Sequence, residues 1–190
     1  AQLHAMIDAN ERIKYDTRNR NLLKTRNALL LKFLYLTAAR RSEAANLKWE
    51  DLQQDGEFQV VILQQTKSGE PQKLKLRNEL FEELECWNET LKTNQIECEW
   101  VFPSLSFRTL GGKMSGKGVN DVVSKLGSAI GLKISAHYLR HTAITLALEL
   151  GEPLQKVQSY ARHASANTTI RYFHDQQFLE KNPTDRLPMI

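Results

Sequence analysis

Between Thr25 and Ala39 the chain reads TRNALLLKFLYLTAA, with Leu29, Leu30, Phe33, Leu34 and Leu36 falling mostly three or four apart. Side chains at that spacing share one side of a helix, so the segment is predicted to be a helix packed into a core. The period then changes. Asp55-Gly56 is a turn dipeptide, FQVVIL is rich in strand formers, and the turn KSGEP leads into the alternating KLKL. Together they predict a small antiparallel sheet of three strands joined by hairpins. Helical spacing returns over residues 78–93, where Leu80, Phe81, Leu84, Trp87 and Leu91 follow Asn78 as a cap. The stretch EWVFPSLSFRTLGGKMSGKG, with glycines at 111, 112, 116 and 118, reads as a loop. Further helices are predicted at 119–130, at 136–150 behind Ser135 and ending at Gly151, and at 153–161 opened by Pro153. The expected fold is therefore mixed α+β, mainly helical, with a small three-stranded antiparallel sheet.

The 190 residues, 41% of them hydrophobic, suffice for one core and one domain. No apolar run approaches the ~20 residues that span a bilayer, and AQLHAMIDANERIKYD has neither an apolar signal region nor a cleavage site, so a cytosolic location is expected. Cys86 and Cys98 lack CxxC spacing and are read as reduced thiols. The net charge of +4 is unevenly distributed: residues 101–174 hold nine Lys or Arg against three acids, a net of +6. A basic segment on a near-neutral remainder suits a phosphate-binding face, although a solvated basic surface has the same composition. No GK[ST] motif accompanies the glycine-rich loop, so a nucleotide P-loop is not indicated; a mobile or DNA-facing loop is.

Several residues have the chemistry for such a face. In AHYLRHTAITLALEL, His137 and Arg140 are three apart and can reach one anion from one helix face. His137 and His141 have metal-ligand spacing, but the glutamate of an HExxH motif and a third ligand are missing, so no metal or other cofactor is expected, and His141 is read as a helix-packing or capping residue. Arg40 and Arg41 leave the first hydrophobic helix, and Glu43 is placed to steady a guanidinium by hydrogen bonds. Lys67 sits in a predicted hairpin turn. Tyr172 follows His163 by nine residues among small polar side chains, an unusual setting for a core tyrosine.

The order of these residues resembles the catalytic domain of the tyrosine site-specific recombinases, the phage integrase family. The matching stretches are TAARRSEAANLKWEDL, QQTKSGEPQKLKL, SAHYLRHTAIT and VQSYARHASANTTIRYFH, spanning about residues 25–174. The resemblance implies an active site of Arg40, Lys67, His137, Arg140, His163 and Tyr172, with Glu43 in support. It implies that Tyr172 attacks a DNA phosphodiester and that Arg40, Arg140 and His163 hold the phosphate. His137 would accept the tyrosine proton or serve as a further phosphate donor, and Lys67 would protonate the leaving 5′ oxygen. The product is a 3′-phosphotyrosyl link, formed without ATP or metal. Lys73 and Lys75 remain alternative hairpin lysines.

The sequence departs from the family pattern in three places: Ala38-Ala39 stand where Gly usually precedes the first arginine, Arg41 stands where an apolar residue is frequent, and Arg162 replaces the common Gly before the closing histidine. The R-x-S-E register favours Arg40 over Arg41 as the catalytic arginine, and Arg162 is expected either to crowd the phosphate or to supplement its ligands. The resemblance further implies double-stranded DNA as partner, a homo-tetramer on DNA, residues 1–174 as catalytic domain, and residues 175–190 as a docking tail anchored by Phe178 and Leu179. A separate N-terminal DNA-gripping domain is not in these 190 residues, so a longer parent protein is expected. The competing readings are a type IB topoisomerase and a DNA-binding accessory factor without catalysis.

Overall fold

A computed structural model describes residues 2–15, 17–64, 70–163 and 168–169. Helix α1 (Gln2–Arg12) leads to the long α2 (Arg20–Thr37) and the short α3 (Arg41–Ala45). Strands β1 (Leu52–Asp55), β2 (Phe58–Leu63) and β3 (Gln72–Lys75) follow, then α4 (Asn78–Thr93), α5 (Gly116–Ser128), α6 (Ala136–Glu149) and α7 (Leu154–Ala161). The sheet is antiparallel in the order β1-β2-β3, with Val61 facing Leu52 on one side and Leu74 on the other.

Helix α2 is central and packs against α1, α3, α4, α5 and α6. Leu30, Leu31, Phe33 and Leu34 are fully buried, and the Phe33 ring meets that of Phe102 at 5.5 Å. Burying such side chains contributes about 1.5–3 kcal/mol each before the entropy of ordering them is counted. Trp87 of α4 closes the same core and donates its indole N–H to the carbonyl of Val101 at 2.8 Å. A smaller apolar cluster joins Ala38 to Ala143, Ile144 and Leu148 of α6 and to Val157 and Ala161 of α7. That cluster holds α6 and α7 against the C-terminal end of α2.

The predicted α+β class, the sheet and the helices at 78–93 and 136–149 are present. Asn78 is the first helical residue of α4, with Arg77 at its cap, and Pro153 caps α7 one residue before its start. Helix α5 begins earlier than its apolar pattern suggests, because Ser115 accepts a hydrogen bond from the N–H of Gly118 at 3.0 Å and organises the first turn. Two of the four loop glycines, Gly116 and Gly118, therefore lie in a helix. The rest of that loop is laced by the N–H groups of Gly111 and Ser104, which donate to the carbonyls of Ser104 and Gly112 at 2.9 and 2.7 Å. Among the described residues no helix is long and apolar enough to cross a membrane. Both cysteines are free.

Candidate active site

The C-terminal end of α2 is the foundation of the site. A helix leaves its last carbonyls without intrahelical partners, and its dipole concentrates negative charge there. Here α6 and α7 supply the missing donors. Tyr160 donates its hydroxyl to the carbonyls of Tyr35 and Leu36 at 3.2 and 3.1 Å. Arg162 donates to Thr37 and Ala38 at 3.1 and 2.8 Å, and Arg140 donates to Ala38 and to Ala161. Ala38 itself is left-handed, with φ 47°, a conformation that suits glycine. The two cations complement the helix dipole.

Arg40 follows immediately, in extended conformation at the cap of α3. Glu43 accepts from the backbone N–H of Arg40 at 2.8 Å and from its guanidinium at 2.5 Å, and the other end of that guanidinium donates to the carbonyl of Arg162 at 3.0 Å. The Glu43 side chain has no exposed surface. Burial alone would push its carboxyl up, but Arg162 and the hydrogen bonds from Arg40 hold it below the usual carboxylate range. Arg40 remains partly open, with 23% of its side chain exposed. The arginine clamped by Glu43 is Arg40, whereas Arg41 is exposed on α3.

Helix α6 carries His137 and Arg140, and its start is pinned from α5: Asn120 accepts from the N–H of Ala136 at 3.1 Å, and Ser124 donates to the carbonyl of Ile134 at 2.9 Å. Gly127 makes that approach possible, since a Cβ there would lie 2.4 Å from Ile134. His137 is exposed and Arg140 is buried. Partial burial, then the charges of Arg140 and Arg40, lower the affinity of His137 for a proton. His141 is also exposed, and its ring meets that of His137 edge-on at 4.3 Å.

His163 follows α7 and is half-buried. Its Nδ1 lies 2.9 Å from the Thr169 hydroxyl. Burial first, then Arg140, Arg40, Arg162 and His141, drive its pKa down to about 4. His163 is thus neutral at pH 7 and acts as an imidazole with one N–H, not as a cation. If the Thr169 hydroxyl donates to Nδ1, the proton is left on Nε2. Arg40, Arg140, His137 and His163, drawn from three separate segments, therefore feel one another's charge at one site. Lys67 and Tyr172 lie outside the described residues, as do the tail residues Phe178 and Leu179.

Two site features were not anticipated from sequence. Tyr160, with burial pushing its hydroxyl up to about 12, is a structural tyrosine that caps α2. Arg162, expected to crowd the phosphate or supplement its ligands, has a side chain 1% exposed and turned inward onto Glu43 at 3.0 Å. Of the basic segment, Arg140 and Arg162 are buried, whereas Lys117 and Lys156 beside Asp121 and Glu152, and Lys113 and Lys125 over the rings of Trp100 and Tyr15, stay exposed.

Tyrosine recombinase XerA of Pyrococcus horikoshii is 33% identical over 147 residues, covering 77% of this chain and 50% of that protein. A tyrosine recombinase of Synechococcus elongatus is 31% identical over 173 residues, covering 89% of this chain and 53% of its own. The chain thus spans about half the length of these curated relatives. Among solved structures, XerH site-specific recombinase bound to palindromic difH substrate, a post-cleavage complex, shares the fold with a TM-score of 0.76 at 24% identity, over 97% of this chain and 51% of that one. XerA recombinase does so with a TM-score of 0.71 at 22% identity, over all of this chain and 62% of that one. The model of the Phage integrase family matches residues 2–178, and the chain belongs to that family.

Proposed function

We propose that this chain is the catalytic part of a site-specific recombinase that cuts and rejoins double-stranded DNA through a covalent 3′-phosphotyrosyl intermediate. The observation that carries the reading is the convergence of Arg40 and Arg140, each held by hydrogen bonds, on two imidazoles whose proton affinity is lowered by burial and then by the two arginine charges. Fixed donors of this kind stabilise the charge that develops on the equatorial oxygens of a pentavalent phosphate, and they need no reorganisation as it develops.

In the proposed reaction the Tyr172 oxygen bonds to phosphorus in line with the 5′ oxygen, and the bond from phosphorus to that oxygen breaks. The phenol proton passes to neutral His137, whose depressed proton affinity leaves its lone pair available. Lys67 supplies the proton that the departing 5′ oxygen takes up. His163 donates Nε2–H to a phosphate oxygen. Because the phosphodiester is exchanged for a phosphotyrosine and not hydrolysed, a 5′-hydroxyl from another strand can reverse the step, which supports strand exchange over simple cutting. Integration or excision by a tetramer on DNA follows from this chemistry applied to two duplexes.

The test is incubation of the full parent protein with nicked duplexes from the flanks of its gene, resolved on a denaturing gel. A protein–DNA adduct is expected with wild type and none with Tyr172→Phe, which should still bind DNA. Arg140→Ala is expected to slow adduct formation by ~10²–10³-fold, the usual effect of losing one transition-state donor. Bound duplexes without any adduct would favour the accessory-factor reading, and relaxation of supercoils without site preference would favour a topoisomerase.

A further inference from the structure

Arg162 stands in an unfavourable place for its residue type. Its backbone is left-handed, with φ 55°, where a side chain with a Cβ is strained and glycine is not. Its guanidinium is buried, and among the described residues its Nε finds no acceptor. The remaining contacts indicate what the residue does. One nitrogen donates to Thr37 and Tyr160 at 3.1 and 2.9 Å, and the other to Ala38 and to Glu43 at 2.8 and 3.0 Å. Its own carbonyl accepts from Arg40 at 3.0 Å. Arg162 therefore touches Arg40 twice, through its main chain directly and through Glu43 with its side chain.

We propose that Arg162 is a positioning residue for strand cleavage: its guanidinium anchors the Glu43 carboxylate, and carboxylate and Arg162 carbonyl together hold the Arg40 guanidinium in one orientation toward the phosphate. The proposal rests on the reading of Arg40 as a phosphate ligand. Of the five donors of Arg40, these contacts engage two, which leaves the others for an incoming anion among the described residues. A cation is needed at position 162 because Glu43 has no exposed side-chain surface and, among the described residues, Arg40 is its only other ion-pair partner. The groups facing this pair are Arg40 from the start of α3 and, from α7 and beyond, Tyr160, Arg162 and His163, while Arg140 of α6 shares the Ala38 carbonyl with Arg162. Of the nearest charges only Arg162 and Arg40 favour an ionised Glu43.

The experiment measures single-turnover adduct formation by the full parent protein on nicked duplexes, against pH, for wild type, Arg162→Met, Arg162→Lys, Glu43→Gln and the Glu43→Gln/Arg162→Met pair. Arg162→Met is expected to be ~10–100-fold slower at neutral pH with DNA affinity within ~2-fold of wild type, the size of effect typical when a supporting contact behind a catalytic group is lost. Its rate should also fall on acidification where wild type is flat, because Glu43 without Arg162 takes up a proton at higher pH. Arg162→Lys should recover most of the rate, and in the Glu43→Gln background the loss of Arg162 should add less than its full factor. A rate equal to wild type, an unmoved pH profile, or losses that multiply in the pair would overturn the proposal. An NMR measurement of the Arg40 Nε–H independently follows its immobilisation, which Arg162→Met and Glu43→Gln should both loosen. If wild type forms no adduct, the functional reading fails on its own. In that case loosening of Arg40 would still support the positioning role and an unchanged Arg40 would refute it; if Arg162→Met does not fold, Arg162→Lys carries the same readouts.

Discussion

His163 sits among three guanidinium groups, and its protonation state sets what the site can do. With its pKa at about 4 instead of the ordinary 6.5, the folded protein resists the proton that the unfolded chain accepts. Stability should therefore drain as pH falls from about 6.5 to about 4 and level off below. His163→Gln, which keeps a polar partner for Thr169, should lose less over that window. The imidazole is only partly buried, so solvent screening brings the expected difference down to about 1 kcal/mol, or roughly 2–4 °C in a thermal melt followed at each pH. A bound phosphodiester supplies the opposite charge, so DNA should bind with net proton uptake below about pH 6.5 and bind more tightly there. The identities of Arg40, His137, Arg140 and His163 could be read from sequence because each stands at a fixed spacing within an ordered series. The inward turn of Arg162 could not, since nothing in ARHAS distinguishes a cation directed at a phosphate from one directed at a buried glutamate 119 residues away.

At the scale of elements, the site depends on how closely α5 approaches the turn before α6. Gly127 is the point of nearest contact, with Ile134 Cγ1 at 2.4 Å and the carbonyl of Leu132 at 3.0 Å from any added Cβ. Gly127→Ala should therefore destabilise the protein by about 1–3 kcal/mol despite the better helix propensity of alanine, as overpacking outweighs it. A urea titration reports this as a lower midpoint with an unchanged slope. A gain in stability would mean that α5 and the 130–134 turn move apart at little cost. Helices α2 and α4 were legible because each buries a run of apolar side chains at helical spacing, and α6 because Ser135 and Gly151 mark its ends. Helix α1 was not: it buries Met6 and Ala9 together with Asn10, which donates to the carbonyl of Lys24 at 2.7 Å, so its inward face is partly polar. The start of α5 was hidden for a different reason, since two glycines in a first turn argue against a helix until the cap from Ser115 is seen.

For the whole molecule, two of the nine basic residues of the segment 101–174, Arg140 and Arg162, are buried, and binding is expected to depend on salt less steeply than nine phosphate contacts would require. The proposed assembly has a candidate seat. A groove of about 260 Å³ lined by Ala147, Val157 and Tyr160, with Glu152 and Lys156 beside them, lies on the α6–α7 surface, next to exposed Leu146 and Leu150. The proposed docking tail, with Phe178 and Leu179 as its apolar anchors, would meet such a surface on a neighbouring copy. Removing residues 175–190 should then reduce association on gel filtration with target DNA, and an unchanged elution at every concentration would contradict the docking role. The central claim concerns one oxygen atom, and it is tested most directly by identifying the residue that carries DNA. After reaction with a nicked duplex and digestion of protein and DNA, mass spectrometry should find a 3′-phosphonucleotide on Tyr172 and a free 5′-hydroxyl on the released strand. Attachment at any other residue, or a 5′-phosphate on the released strand, would contradict the account.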